Sequence, residues 1–189
     1  MDNTLLPCRK NTDKIILHLC AGKHGSDSKR YADAGYDVRL IGIEKDVRKQ
    51  CPQSVYGIIA NPPCTHLSGS GARWWEQKGE SALFEALAIA DACCRMVLLC
   101  KPTFWVLENP VGRLTRYYGK PTMTYQPYEY GDPWTKRTCL WGNFNIPIKT
   151  PVIPTMGSIM HKMAPSEDRS EKRSICSPGF AKAFFDVNQ

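Results

Sequence analysis

Apolar runs closed by short polar or glycine-containing turns recur along the chain, and their periods change from two to three or four residues and back. Ile15-Ile16-Leu17-His18-Leu19-Cys20 is the first run, and it stops at Ala21-Gly22-Lys23-His24-Gly25. With a short helix over Ser28 to Ala34, this reads as strand, glycine turn, helix. Gly35 ends that helix, and Tyr36 to Ile43 alternates polar and apolar positions before Glu44, which predicts a second strand.

A third β-rich segment, Val55 to Ala60, runs into Asn61-Pro62-Pro63-Cys64, where two prolines must end any ladder. After the glycine-rich stretch Ser68-Gly69-Ser70-Gly71, helical spacing of Leu83, Leu87, Ala90, Cys94, Val97 and Leu98 predicts a long helix from Glu80 to Cys100. Phe104-Trp105-Val106-Leu107 is a fully apolar strand that ends in Glu108-Asn109-Pro110. Arg137-Thr138-Cys139-Leu140-Trp141 has strand composition, Pro147 to Pro154 is expected to be irregular, and the polar segment 161–174 is expected to be mobile.

Alternating strands and helices predict an open, mostly parallel α/β sheet, whose ligands bind in the crevice beyond the carboxyl ends of the strands. A chain of 189 residues fits one domain: a core over about 14–142, a short irregular segment 143–176 and a C-terminal helix 177–187. No solenoid-period repeat is present. Met1 to Asp13 lacks the apolar run of an export signal, and no segment reaches the length of a membrane span.

Composition adds little to this picture, but it narrows the function classes. Nine cysteines without paired spacing, and four histidines with no C-x-x-C pair, argue for free thiols in a reducing cytoplasm and against a zinc site. The net charge of +7 suits a polyanionic partner and equally suits a solvated basic surface.

Three strand ends hold the candidate chemistry. The Gly22–Gly25 turn lets a ligand approach the backbone, and Glu44, about 20 residues on, can accept hydrogen bonds from ribose hydroxyls. Asp46 is its rival for that role or for the adenine amine. Cys64 follows two prolines that stiffen its loop, which separates it from the other cysteines, most of which are expected to be small buried hydrophobes. Glu108 ends an apolar strand, where desolvation can raise a carboxyl pKa until it donates a proton near neutrality. Asn61-Pro62-Pro63 also fits the amino-group methyltransferase pattern, although Cys64 stands where that pattern has an aromatic residue.

Taken together and in this order, these motifs resemble the cytosine carbon-5 DNA methyltransferase family, in a small form similar to bacteriophage proteins. Leu19 to Gly25 looks like its first cofactor motif, with Cys20 for the usual aromatic residue and His24 for a glycine. Glu44 matches its ribose-binding acid, and Asp46-Val47-Arg48 its adenine-contacting segment. Pro63-Cys64 matches the Pro-Cys motif, and Glu108-Asn109-Pro110 resembles Glu-Asn-Val. Gly131 to Gly142 looks like the motif with two arginines, Arg137 matching the second and Thr135 standing where the first would be. Ser177 to Phe185 is similar to the closing helix.

The resemblance implies a Rossmann-like S-adenosylmethionine-dependent methyltransferase fold, an open sheet with helices on both faces. Catalysis would fall to Cys64, Glu108 and Arg137, and cofactor binding to Cys20, Ala21, Gly22, Gly25, Glu44, Asp46, Asn61 and Pro63. Thr65, Ser68, Arg73, Asn109 and Pro110 would meet the substrate, with Trp74 and Trp75 either stacking on bases or packing on the sheet. DNA is the implied partner and no metal is implied; RNA, a free cytidine nucleotide or a non-catalytic binding module are the alternatives. Only residues 143–176 are left for target recognition, so a homodimer or a recognition partner would hold the strand.

Overall fold

The computed structural model describes residues 11–23, 25–159, 163–164, 166 and 169–189; His24, the first ten residues and parts of segment 161–174 lie outside these. Six strands form one sheet: β1 Ile15–Leu19, β2 Asp37–Ile41, β3 Gly57–Ala60, β4 Phe104–Pro110, β5 Met123–Tyr125 and β6 Thr138–Asn143, in the order β2-β1-β3-β4-β6-β5. β1 pairs in parallel with both β2 and β3, and β3 pairs in parallel with β4. β6 runs antiparallel to β4, and β5 antiparallel to β6. All four residues of β3 are buried, as a strand covered on both faces requires.

Among the described residues the helices are α1 Lys29–Asp33, α2 Trp75–Cys100, α3 Thr115–Tyr118, α4 Arg169–Ser174 and α5 Pro178–Val187. On one face α2 sends Ala86, Ala90, Cys93 and Met96 against Leu19, Ala60 and Leu107. On the other, Tyr31 of α1 and Phe180 and Phe184 of α5 pack with Ile16, Ile59, Val106 and Leu140. The architecture is therefore Rossmann-like, with helices on both faces. No helix among the described residues is long and apolar enough to cross a membrane.

The long helix begins five residues earlier than expected, because two helical pieces join across Gly79 at φ 72°. Its most buried stripe, Ala86-Ala90-Cys93-Met96, is made of smaller residues than the predicted one. Leu83, Leu87, Cys94 and Val97 flank that stripe, while Leu98 is 74% exposed. Small side chains bring the helix axis close to the sheet and leave the larger ones at the margins. The edge strand β5 carries no readable pattern, since three residues gain their order from pairing with β6.

α5 starts where the sequence places it. Ser177 caps it by accepting from the Phe180 amide, and the Asp132 carboxylate accepts from the Ser177 hydroxyl and, at 2.9 Å, from the Gly179 amide. The Tyr125 and Phe180 rings stack at 3.7 Å. This fastens the C-terminal helix beneath the carboxyl edge of the sheet.

Candidate active site

Register brings the chemistry together. Leu19 pairs with Ala60, and Ala60 with Leu107, so the next residues along, Cys20, Asn61 and Glu108, stand side by side at the carboxyl edge. The Asn61 amide nitrogen donates at 3.3 Å to Glu108 Oε2 and at 3.3 Å to Asp27 Oδ1. Asn61 Oδ1 lies 2.8 Å from His18 Nε2, and His18 Nδ1 lies 2.8 Å from Ser28 Oγ. A carbonyl oxygen only accepts, so Nε2 carries a proton; the Ser28 hydroxyl lies within reach of both His18 Nδ1 and Gly25 O, at 2.8 and 3.1 Å. Burial pushes the His18 pKa down, against the Asp27 charge and the Asn61 bond, in keeping with a neutral ring.

Cys20 breaks this alternation. Its φ of 55° turns the thiol to the α2 face, where it lies 3.8 Å from Cys93 Sγ. That bond from Cys93 is the largest cause holding the Cys20 pKa below its ordinary value.

The loop carrying Cys64 is sewn to the end of β4. The fully buried Asn109 donates to Pro62 O at 2.9 Å. Beyond Cys64, the Gly69 amide donates to Val111 O and the Arg113 amide to Leu67 O, each at 2.8 Å. Gly112 sits so close to Leu67 O that a Cβ there would come within 2.0 Å of it. Only glycine permits that approach. Cys64 and Glu108 are thus fixed relative to each other through backbone contacts as well as through Asn61.

Cys64 is exposed in the wall of the cleft, yet the surrounding protein raises its thiol pKa, and the nearby Glu108 raises it further. Lys136 and Arg173 pull it down. Burial likewise raises the Glu108 pKa; Lys136 opposes the rise, Asp27 adds to it and the Asn61 bond lowers it. The cations that act on Cys64 are therefore Lys136 and Arg173, and Arg137, which the resemblance puts in the catalytic set, is not among them. Strand parity explains the difference. Glu108 pairs with Leu140 on the α5 face, Thr138 shares that face through its pairing with the buried Tyr125, and Lys136 precedes Thr138 by two. Arg137 is exposed and acts on Cys139, which belongs to the α2 face.

A cleft of about 1090 Å³ lies over this edge. Cys20, Gly22, Gly25, Asn61, Pro63, Cys64, Thr65, Ser68, Arg73, Glu108, Pro110 and Arg137 all line it. Ala21 is buried behind it, its amide bonded to Ile41 O, and Asn109 is turned into the core. Glu44 and Asp46 lie past the end of β2, outside the lining, while their neighbour Ile43 lines the cleft and is fully exposed. Asp46 is occupied as a cap: it accepts from the Arg48 amide at 3.0 Å and pairs with the Arg48 guanidinium, which holds its pKa at about 2. Glu44 makes no such bond among the described residues. Gly25, at φ +52°, takes a left-handed backbone conformation that favours glycine, against the Leu40 methyl groups.

No protein-family model matches the sequence, and no curated protein does. Solved structures do resemble it. One is the crystal structure of a candidate DNA modification methyltransferase encoded within a prophage (E. coli), 18% identical, aligned over 82% of this chain and 49% of that one with a TM-score of 0.47. The chain spans about half the length of that neighbour. The likeness concerns the path of the backbone, and the chemistry of the cleft rests on the side chains that line it.

Those side chains include several without a sequence signal of their own. Asp27, Gln126, Lys136 and Arg173 enter the cleft from four different segments, and His18 supports it from within β1. Among the described residues five basic ones, Lys23, Arg73, Lys136, Arg137 and Arg173, line it against Asp27 and Glu108. The Arg73 guanidinium sits 5.2 Å over the Trp74 ring, which is 46% exposed on the cleft wall. Trp75 lies beneath Arg113 at 4.2 Å instead, outside the lining.

Proposed function

We propose that the protein transfers a methyl group to carbon 5 of a cytosine held in a nucleic acid, DNA first among them. The observation that carries this reading is the placement of Cys64 and Glu108 at adjacent strand ends, facing one basic cleft and locked together by Asn61, Asn109 and Gly112.

The β1 and β2 ends fit S-adenosylmethionine. Gly22 and Gly25 open the first turn, and Ile43 exposes its whole apolar side chain to the cleft, a position that pairs well with the face of a purine. Glu44, free of the cap that engages Asp46, would take the ribose hydroxyls. When bound there, the cofactor supplies an electrophilic methyl group.

The residues of this chain supply the rest. Carbon 5 of cytosine is a poor nucleophile, and attack of the Cys64 thiolate on carbon 6 pushes electron density onto it. Glu108 gives its proton to ring nitrogen 3 as the sulfur–carbon bond forms, so the ring gains no net negative charge. As carbon 5 takes the methyl, nitrogen 3 returns its proton to Glu108; the carbon 5 proton then passes to solvent in the open cleft, and its electron pair re-forms the C5–C6 double bond as the sulfur–carbon bond breaks and the thiolate leaves. The two pKa directions support this coupling. A negative Glu108 disfavours the Cys64 thiolate, so a proton on Glu108 and the charge on Cys64 belong to the same state. Lys136, on the Glu108 face, would bind the cytosine oxygen, and its charge favours the thiolate.

The five basic residues and the exposed Trp74 support a polymer over a free nucleotide, because phosphates outside the base pocket and a base stacked on the wall both need an open, cationic trench. The test is incubation with radiolabelled S-adenosylmethionine and, separately, duplex DNA, single-stranded DNA, RNA and cytidine nucleotides. Label on carbon 5 of cytosine in DNA is expected. Label on an exocyclic amine would replace this chemistry with the amino-group reaction, and label in no substrate would mark a binding module.

A further inference from the structure

Asn61 stands between two carboxyl groups, and the reaction described above uses only one. Its amide nitrogen has two N–H bonds, one for Glu108 Oε2 and one for Asp27 Oδ1, each at 3.3 Å. Its carbonyl end is held by His18, and His18 by Ser28, both at 2.8 Å. The amide is therefore fixed toward both acids. The two acids are not equally supplied with donors. Asp27 Oδ1 accepts from Asn61, and Oδ2 accepts from the Ser26 hydroxyl at 3.1 Å. Ser26 Oγ in turn accepts from the Cys176 amide at 3.0 Å. Glu108 receives its one side-chain bond at Oε2, and among the described residues Oε1 accepts none.

We infer that Asp27 is a positioning residue for Glu108: the two carboxyl groups, bridged by Asn61, carry one negative charge between them, with the charge on Asp27 and the proton on Glu108 Oε1. An acid whose two oxygens both receive donors is stabilised in its ionised form, and the neighbour with an unbonded oxygen is the one that keeps the proton. Like charges so close together disfavour ionisation of both. Both acids border a cavity of about 20 Å³ walled by Ile59, Val106, Leu140 and Phe180, and both also reach the cleft above it.

The other groups acting on Glu108 are known. Lys136, from the lead-in to β6, opposes the pair by favouring the ionised form. Cys64, from the loop after β3, Tyr125 of β5, Cys139 of β6 and Cys176 ahead of α5 all respond to the Glu108 charge, and burial keeps the Tyr125 and Cys176 pKa values well above their ordinary range. His18 reaches it only through Asn61. Asp27 is the carboxylate among these, and so the one that holds the proton in place. The role of that proton rests on the cytosine reading; the pair itself does not.

The experiment is a ¹³C NMR titration of protein labelled at the glutamate side-chain carboxyl carbon, with the Glu108 signal assigned by its loss in Glu108→Gln. In the wild type Glu108 is expected to titrate above the ordinary glutamate range. In Asp27→Asn its midpoint falls by about one pH unit, Asp27→Glu restores it, and Asp27→Ser gives the same reading should the asparagine variant fold poorly. The alkaline limb of the kcat/KM profile for methyl transfer moves down by the same interval. An unmoved Glu108 midpoint in folded Asp27→Asn or Asp27→Ser protein overturns the inference. A midpoint that moves as expected in a protein that methylates no nucleic acid upholds the pair and overturns the cytosine reading alone.

Discussion

Asn109, with no exposed surface, donates its side-chain amide to Pro62 O at 2.9 Å and so ties the strand that carries Glu108 to the loop that carries Cys64. The bond is sequence-remote and has no solvent to replace it. Asn109→Leu is expected to cost about 1–3 kcal/mol of stability, because Pro62 O loses its donor. Urea denaturation measures this. The same variant should lose kcat with little change in KM, since it lets the nucleophile and the acid drift apart while leaving the cleft lining intact.

Cys64 alkylation by iodoacetamide, followed by mass spectrometry against pH, reads its thiolate directly. The wild-type thiol should react with a midpoint above that of an ordinary thiol. Glu108→Gln removes the neighbouring charge and moves the midpoint down; Lys136→Met moves it up. Cys64→Ser should form no covalent adduct with DNA containing 5-fluorocytosine, whose fluorine cannot leave as a proton does, and a full yield of adduct would exclude Cys64 as the nucleophile.

Glu108 also makes stability depend on pH. Its folded pKa lies above its unfolded value, so its favourable contribution is fully present below about pH 4.3 and is lost as pH rises through the raised folded value. Glu108→Gln cannot ionise. Its Tm relative to the wild type should therefore climb with pH across that window and then level off, while methyl transfer is lost at every pH. A Tm difference independent of pH would contradict the raised pKa.

Lys136 and Arg137 are neighbours with separate tasks. Lys136→Met should lower kcat by about 10- to 100-fold, as loss of a charge aimed at the reacting ring does. Arg137→Met should chiefly raise KM for the nucleic acid and flatten its salt dependence. Steady-state kinetics at two salt concentrations separates them.

Glu44 and Asp46 divide in the same way. Glu44→Gln is expected to weaken S-adenosylmethionine about 10-fold or more, as loss of a charged acceptor implies. Asp46→Asn should leave that affinity unchanged and alter the melting temperature little, because asparagine caps the turn equally well and only the exposed pair with Arg48 is lost. Isothermal titration calorimetry and thermal melts give both numbers.

Much of the site is written locally. The apolar runs of β1, β3 and β4, the two prolines before Cys64 and the acid after Leu107 identify strand ends by short-range rules alone, and they predict an α/β sheet with Cys64 and Glu108 at its carboxyl edge. The capped helix from Pro178 is equally local. None of these needs a distant partner to be read.

The remaining decisions depend on register and parity, which no single segment contains. The pairing of Leu19 with Ala60 and of Ala60 with Leu107 sets Asn61 beside Glu108, and the antiparallel return of β6 gives the Glu108 face to Lys136 instead of Arg137. A left-handed φ sends Cys20 to the opposite face from the one its place in the run implies. Asp27 follows a glycine turn and looks like a solvated loop residue until the sheet brings Asn61 within reach of it. By itself the sequence determined which residues end the strands, because backbone preference and hydrophobic period act over a few positions; only the tertiary structure decided which side chains meet there, because that follows from strands joined across tens of residues.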